Sequence, residues 1–279
     1  MTPLFTENYT LQCENTIDGL LTAIYDAFVI KKQLTPYKDT ISITTVTDAT
    51  PDFFSKWITV ETDPRKAALT ASTIINRLGH MVYNSVFNSL CHYDTERGTY
   101  ILGFLVRAFQ SGPSTLNNLA DPYVMRILEY TRKASNEAHF YREIVRFTQI
   151  SNILYSKIAP KCHVLPYISD HFADRFPNEN WIIYDETHQL GSIHKSGQSW
   201  YLFSHPDLDL SNHSPKPLAT EHFESGSTTD NSIQLHDEYP HLWKVFFQTI
   251  GIEQRYNPRC QNTLLPKHYR KYMDEFQNN

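Results

Sequence analysis

Residues 181–203, WIIYDETHQLGSIHKSGQSWYLF, hold three short runs of apolar or alternating residues. The runs are WIIYD, QLGSIH and SWYLF, and turn-forming residues separate each run from the next. This pattern predicts a three-stranded antiparallel meander. Because most of the remaining chain is helical in pattern, we predict an α+β fold in which a small antiparallel sheet accompanies a mainly helical part.

Helical periodicity dominates the sequence that precedes the meander. After Asp63-Pro64, apolar residues recur at spacings of three and four, which predicts a long helix. Asp121-Pro122 is a start signal for a later helix, and HFADRF is typical of the end of a short one. Further helices are predicted over three ranges: 95–110, 121–134 and 136–151.

The amino-terminal segment predicts a small β element and one helix. A strand is expected over residues 9–14 and a helix over residues 17–31, with Thr16 or Asn15 as its N-cap. The run ISITTVTD is rich in β-branched residues and predicts a second short strand. We therefore expect short amino-terminal strands to contribute to the sheet.

The composition is that of a globular protein. The chain has 279 residues, of which 41% are apolar and 13% aromatic, and only nine are glycine. No run of about 18 apolar residues and no secretory signal occurs, so we expect a cytoplasmic protein without a membrane partner. Its four cysteines include no CxxC pair, and we expect them to be reduced and mostly buried.

The formal charge of −5 is unevenly distributed. Residues 203–241 contain seven carboxylates and one lysine, which gives this stretch a charge of −6 and leaves +1 for the rest of the chain. The stretch is also rich in serine, asparagine, proline and threonine. We therefore predict that residues 204–238 form an acidic, flexible loop inserted in a single α+β domain of residues 1–279.

The motifs of several common enzyme classes are missing. The sequence has no GxGxxG, no GxxxxGK[ST] and no GxSxG, which are typical of dinucleotide binding, P-loop hydrolysis and α/β-hydrolases. Thirteen histidines form neither an HExxH nor an HxH motif. We therefore predict no cofactor and no dedicated metal site.

A polar stripe runs along the predicted helix that contains EAHFYREIVRF. His139, Arg142, Glu143 and Arg146 lie at positions i, i+3, i+4 and i+7, on one face of a helix. Arginines on such a face could hold phosphate groups bidentately, and His139 beside Glu137 or Glu143 could transfer protons. The alternative is a solvated helix face with ion pairs inside the helix.

A second polar stripe is predicted in HFADRF. His171 and Arg175 are four residues apart and therefore neighbours on a helix, where the two side chains could share an anion. The alternative is that Arg175 pairs with Asp170 or Asp174 while His171 packs against the core.

The carboxyl-terminal segment 252–275, IEQRYNPRCQNTLLPKHYRKYMDE, mixes basic and aromatic residues. It has five basic and three acidic residues, and tyrosines are interleaved among them. Cations can meet phosphates while rings stack on bases, so the pattern suits a nucleic-acid strand. The alternative is a terminal helix that docks through its tyrosines. The basic residues are Arg255, Arg259, Lys267, Arg270 and Lys271.

Several segments occur in an order that resembles a known family. They are YTLQCENTIDGLLTAIYDAF, EAHFYREIVRF, LYSKIAPKCHVLPYISDHFADRF, WIIYD, LWKVFF and IEQRYNPRCQNTLLPKHYRKY. Together they are similar to the family called domain of unknown function 4130, over nearly the whole chain. Members of that family are described as proteins of DNA metabolism. They are associated with a radical-SAM protein of DNA modification or repair, and the domain also occurs fused to domains like uracil-DNA glycosylase.

The resemblance implies a DNA-related role and a radical-SAM, iron–sulfur protein partner. It supplies no catalytic residue set, so the candidate site combines it with the two polar stripes and the carboxyl-terminal segment. The expected anion-accepting surface consists of His139, Arg142, Arg146, His171, Arg175, Arg255, Asn257 and Lys267. Trp181 and Tyr269 are expected beside it as stacking or packing groups. The candidate catalytic groups are His139, His171 and Glu137.

Three hypotheses about function follow. The first is a nucleic-acid-binding accessory component of DNA repair or modification that works with the radical-SAM partner. Since this chain lacks the closely spaced cysteines that an iron–sulfur cluster needs, the cluster would belong to that partner. The second is an enzyme that acts on a flipped or single-stranded nucleotide with histidine as acid and base. The third is a protein-interaction scaffold whose acidic loop and helical bundle contact the partner.

Overall fold

The structure of the chain is a computed structural model, and its described residues divide into two compact units. The first unit comprises Met1–Glu137 and Lys161–His163, and the second comprises Ala138–Pro160 and Val164–Asn279. Residues described by the structure are 8–32, 40–47, 55–204, 242, 243, 245, 246, 249 and 257–276.

The first unit contains a three-stranded parallel sheet. Its strands are β1 (Asn8–Cys13), β2 (Thr40–Thr44) and β3 (Ser55–Val60), in the order β2-β1-β3. Both outer strands run parallel to β1. The prediction that the amino-terminal strands belong to an antiparallel sheet is therefore wrong. The physical reason for the first pair is the helix α1 (Ile17–Lys31), which lies between β1 and β2 in sequence and returns the chain to the same edge.

Four helices accompany this sheet, and the sequence marks where three of them begin. The N-caps are Thr16 for α1, Asp63 for α2 (Pro64–Leu90) and Asp121 for α4 (Pro122–Ile144), and each side chain accepts a backbone N–H of the first turn. The helix α3 (Arg97–Ser111) has no side-chain cap. A 3₁₀ turn, Pro113–Asn117, follows α3.

The core of the first unit lies between the sheet and these helices. It is a continuous cluster of buried apolar side chains that includes Leu11, Ile24, Val82 and Leu105. Helix α2 is interrupted at Gly79, whose φ of +83° is a backbone conformation that glycine adopts without steric strain.

Helix α4 replaces the two helices predicted over 121–134 and 136–151. Ala134 and Ala138 are both buried, so the apolar stripe continues through the expected break and the chain stays helical. The predicted end at residue 151 is wrong, because α4 ends at Ile144 and Thr148–Ile150 forms a strand, β4. Hydrogen bonding to the next strand, together with β-branched threonine and isoleucine, favours the extended chain there.

The second unit is built on a five-stranded mixed sheet in the order β4-β5-β6-β7-β8. The predicted meander is confirmed, since β6, β7 and β8 are consecutive antiparallel strands. The sheet is nevertheless mixed, because β5 and β6 are parallel while β4 is antiparallel to β5. The remaining strands are β5 (Ile153–Ile158), β6 (Trp181–Asp185), β7 (Leu190–His194) and β8 (Tyr201–Ser204).

The second unit contains further helices besides the end of α4. Helix α5 (Leu165–Arg175) lies between β5 and β6 in sequence, as a parallel crossover requires, and its Ser169 hydroxyl is 2.6 Å from that of Ser192 on β7. Helix α6 (Pro258–Leu264) is followed by two 3₁₀ turns, Lys267–Tyr272 and Asp274–Phe276. The α+β class with a large helical part is thus confirmed.

Other expectations concern the cysteines, the membrane and the acidic loop. Cys13, Cys91 and Cys162 are free and buried. Within the described ranges, no helix is both long enough and apolar enough to cross a membrane. The predicted acidic loop lies outside the described residues from residue 205 onward. The scaffold hypothesis, in so far as it uses this loop, stays a prediction.

Candidate anion-binding cleft

An open cleft of about 680 Å³ lies in the second unit, between the end of α4 and helix α5. Both polar stripes predicted from the sequence line it, because successive turns of each helix bring i, i+3 and i+4 side chains to one face. Phenylalanines and Val145 form its apolar part. The polar residues that line the cleft are His139, Arg142, Glu143, Arg146, His171 and Arg175.

Three phenylalanines pack together in the lining of this cleft. The ring of Phe147 meets those of Phe172 and Phe176 edge to face, with centroid distances of 5.2 and 5.7 Å. Phe172 is buried, whereas Phe147 and Phe176 are partly exposed. Edge-to-face aromatic packing has a defined geometry, so the cluster fixes the position of α5 against the chain that follows α4.

Two of the cleft arginines have no carboxylate partner among the residues that the structure describes. Arg142 is exposed and donates from Nη2 to the carbonyl of Tyr167 at 3.0 Å. The guanidinium carbon of Arg175 lies 5.7 Å from the ring centroid of Phe176. Each guanidinium carries five N–H donors, so both retain donors for an anion.

The third arginine, Arg146, is already engaged. Its guanidinium donates to the carbonyls of Glu143 and Val145 and forms an ion pair with Glu275, in which the N–O distance is 3.2 Å. It also lies 5.7 Å from the ring centroid of Trp243. Arg146 therefore holds the end of α4 to the carboxyl-terminal segment, and it has less capacity for a ligand than Arg142 or Arg175.

His171 lines the cleft together with the two available arginines, and their charges affect its pKa. Burial lowers the pKa of His171 below its ordinary value, and the positive charges of Arg142 and Arg175 lower it further, while Asp174 acts in the opposite direction. The imidazole is therefore neutral at pH 7. His139 is exposed, and its Nε2 lies 3.2 Å from the carboxylate of Glu143.

In its described part, residues 257–275, the carboxyl-terminal segment packs against α4 and does not line the cleft. Tyr269 stacks on Phe140 at 5.2 Å and meets Tyr141 edge to face at 5.5 Å. Lys267 and Asn257 are exposed, but neither lines the cleft. Arg255 lies outside the described residues.

Two other predicted site residues are placed away from the cleft. Trp181 is 0% exposed and stacks on His194 at 5.1 Å, so no nucleic-acid base can reach its ring. Glu137 is buried in the first unit, where its two carboxylate oxygens accept the backbone N–H groups of Lys161 and Cys162 at 2.9 and 2.8 Å. Both oxygens hold a backbone segment in place, which is a structural use of the carboxylate.

Sequence reasoning missed the relation between Arg146, Glu275 and Trp243. The first two residues are 129 positions apart, and only the fold brings them together. The aromatic run in LWKVFF, which contains Trp243, was a signal that could have been included. Nowhere in the described ranges do three or more His, Cys, Asp or Glu side chains come together as a group that could hold a metal ion.

The fold and the cleft define an α+β protein with a basic, aromatic-lined groove in its second unit. The sequence profile of the domain of unknown function 4130 matches residues 95–275, which is more than half of the chain. The chain therefore belongs to that family. The amino-terminal segment that contributed to the resemblance lies outside the matched range, whereas both polar stripes lie inside it. No curated protein matches this chain.

Proposed function

We propose that the chain is a nucleic-acid-binding component of DNA repair or modification, and that the cleft grips the phosphate backbone. One observation carries this proposal: Arg142 and Arg175, from two different helices, line the same cleft beside His171, and neither has a carboxylate partner among the described residues. Two cations that line one cleft repel each other. A phosphate between them would relieve that repulsion and form bidentate, charge-assisted hydrogen bonds.

The proposal also assigns a division of labour with a partner. By resemblance to its family, the chain works in the cytoplasm with a radical-SAM protein, which would supply the iron–sulfur chemistry while this chain supplies the grip on DNA. The spacing of the cysteines supports this assignment, since none of the four lies close enough in sequence to another to form a cluster motif.

Fluorescence anisotropy of labelled single- and double-stranded DNA tests the proposed grip. The wild-type protein should bind, and the affinity should fall with salt between about 50 and 200 mM with a slope of about −0.9 in log K against log salt per phosphate contact on duplex DNA. The double variant Arg142→Gln/Arg175→Gln should bind at least tenfold more weakly and with a shallower slope, because each lost contact removes roughly one unit of slope.

A control is Arg132→Gln, which removes one positive charge, half of the change in the double variant, from an exposed position of α4 that does not line the cleft. It should bind DNA as the wild type does. Equal affinities of the double variant and this control would exclude the cleft as the binding site. No binding by the wild-type protein at tens of micromolar would contradict the proposed function altogether.

A second candidate function is supported by the neutral state of His171. An imidazole that is unprotonated at pH 7 can accept a proton, so the same cleft could act on a flipped or single-stranded nucleotide with His171 as general base. His171→Ala should then abolish turnover of a DNA substrate and leave DNA affinity nearly unchanged. If the variant lost both to the same extent, this second function would be wrong.

A further inference from the structure

Two large aromatic side chains near the cleft are unusually exposed. Trp243 is 39% exposed and Phe246 is 51% exposed, and their ring centroids are 5.7 Å apart. Burial of such exposed apolar surface against a ligand lowers the free energy of the system. Exposed aromatic rings that lie side by side are therefore typical of a ligand-binding or partner-binding surface.

Arg146 connects these rings to the cleft. Its guanidinium lies 5.7 Å from the ring centroid of Trp243, and the same side chain lines the cleft that holds Arg142 and Arg175. A guanidinium at this distance is attracted by the negative face of the indole, which holds Trp243 beside Arg146. Trp243 is thus an exposed aromatic platform directly next to the cationic groove.

A second pair of the same kind lies within the cleft. The guanidinium of Arg175 lies 5.7 Å from the ring centroid of Phe176, which is partly exposed. Cationic grooves that alternate with aromatic rings are the usual way in which proteins hold single strands, since the cations follow the phosphates and the rings stack on bases. A duplex cannot use such rings, because its base faces are already stacked and only base edges are accessible.

We propose that the cleft takes single-stranded DNA, and that an unpaired base stacks on the indole of Trp243 while the neighbouring phosphate lies between Arg142 and Arg175. This inference rests on the proposed function, since it requires a phosphate in the cleft. Stacking on a single aromatic side chain strengthens binding by roughly fivefold to a hundredfold. Single strands should therefore bind more tightly than duplexes of the same length.

The test separates the base from the phosphate. The probes are a fluorescein-labelled oligothymidine of about 12 nucleotides and an abasic oligomer of the same length and charge. Wild-type protein should bind the oligothymidine at least fivefold more tightly. Trp243→Leu should lose that preference and bind both probes as the wild type binds the abasic one. Trp243→Phe, which keeps a ring, should recover part of the difference.

Tyr201→Leu is the matched control, because Tyr201 is an exposed aromatic residue of the same unit that does not line the cleft. It should behave as the wild type does with both probes. A further readout is quenching of tryptophan fluorescence by oligothymidine, which Trp243→Leu should abolish even at saturating oligomer.

The outcomes distinguish this inference from the proposed function. If the wild type binds both probes equally well and Arg142→Gln/Arg175→Gln weakens both, the cleft binds phosphate but no base stacks on Trp243. If Trp243→Leu weakens the abasic oligomer as much as the oligothymidine, the stacking role is likewise wrong. If neither probe binds to the wild type but duplex DNA does, this inference fails and the proposed function stands. If no DNA of either kind binds, the proposed function itself fails.

Discussion

Arginine has two different environments in the two units. In the first unit, Arg97 is 0% exposed and each of its three guanidinium nitrogens donates to a neutral oxygen. In the second unit, Arg142 and Arg175 lie on an open cleft and keep donors that no described carboxylate accepts. The surroundings of an arginine determine whether it stabilises the fold or is available to a ligand, because the side chain carries the same charge in both places.

The partners of Arg97 are all neutral oxygens. Its Nε donates to the carbonyl of Leu90 at 2.8 Å, Nη1 to the carbonyl of Asp94 at 2.8 Å, and Nη2 to the side chain of Asn15 at 2.6 Å. Burial lowers the pKa of Arg97, yet arginine remains charged in proteins. Such an arginine ties three segments of one unit together, and its burial keeps any ligand from reaching it.

Removal of Arg97 should have the largest effect on stability. Arg97→Ala leaves a cavity and deprives the buried carbonyl of Leu90, the partly buried carbonyl of Asp94 and the side chain of Asn15 of their donors. We therefore expect a loss of about 3 kcal/mol or more in the free energy of unfolding. Urea denaturation measures it. The exposed Arg132→Ala should change this free energy by less than about 0.5 kcal/mol. Equal losses in the two variants would show that burial does not distinguish the two environments.

Glu137 offers the next largest effect, since it was a candidate catalytic residue and is placed as a structural one. Glu137→Ala leaves the N–H groups of Lys161 and Cys162 without their acceptor, which should cost about 2 kcal/mol in the free energy of unfolding. DNA affinity of the folded variant should match the wild type. A variant with unchanged stability and impaired DNA processing would instead restore a functional role to this carboxylate.

The affinity for DNA should depend on pH through His171, which lines the cleft. Because the pKa of His171 is lowered, the imidazole is neutral at pH 7 and gains a proton only as the pH falls below that lowered pKa. The imidazolium then adds a positive charge beside Arg142 and Arg175. DNA affinity should therefore rise, by up to about tenfold between roughly pH 7.5 and 5.5, at a cost in protein stability.

The comparison variant for this pH series is His171→Gln, which cannot gain the proton. Both proteins retain the exposed His139, so the difference between their pH profiles isolates His171. Identical profiles would mean that His171 does not face the bound phosphate.

The smallest effect is expected at Arg146, which combines features of both environments. Glu275→Gln removes the carboxylate that engages it, so Arg146 becomes available to a phosphate and DNA affinity should rise by about two- to threefold. Glu179→Gln, an exposed change of equal charge outside the cleft, is the control. An unchanged affinity in Glu275→Gln would show that Arg146 contributes nothing to the site.

Local signals in the sequence were sufficient for most of the fold. The caps at Thr16, Asp63 and Asp121 mark helix starts, and alternating runs mark the meander, because capping and side-chain alternation depend on neighbouring residues alone. Strand direction and the short strand β4 could not be predicted in this way. They depend on which strands pair across the sheet, which no local pattern specifies.

The site was predictable to the same limited extent. The i, i+3 and i+4 spacing of His139, Arg142 and Glu143 identified one polar face, and His171 with Arg175 identified another. That the two faces meet in one cleft depends on tertiary packing. Burial also cannot be predicted from composition. For that reason the sequence suggests Trp181 as a stacking or packing group and Glu137 as a catalytic group, although both side chains are buried.

Arginine side-chain NMR can show directly whether Arg142 and Arg175 contact DNA. The Nε–H signals of Arg97, Arg132, Arg142 and Arg175 can be assigned by substitution and followed while unlabelled single-stranded DNA is added. The chemical shifts of Arg142 and Arg175 should change together and reach saturation as DNA is added, while those of Arg97 and Arg132 should not change. Shifts confined to other arginines, with Arg142 and Arg175 unmoved, would contradict the assignment of the cleft as the DNA site.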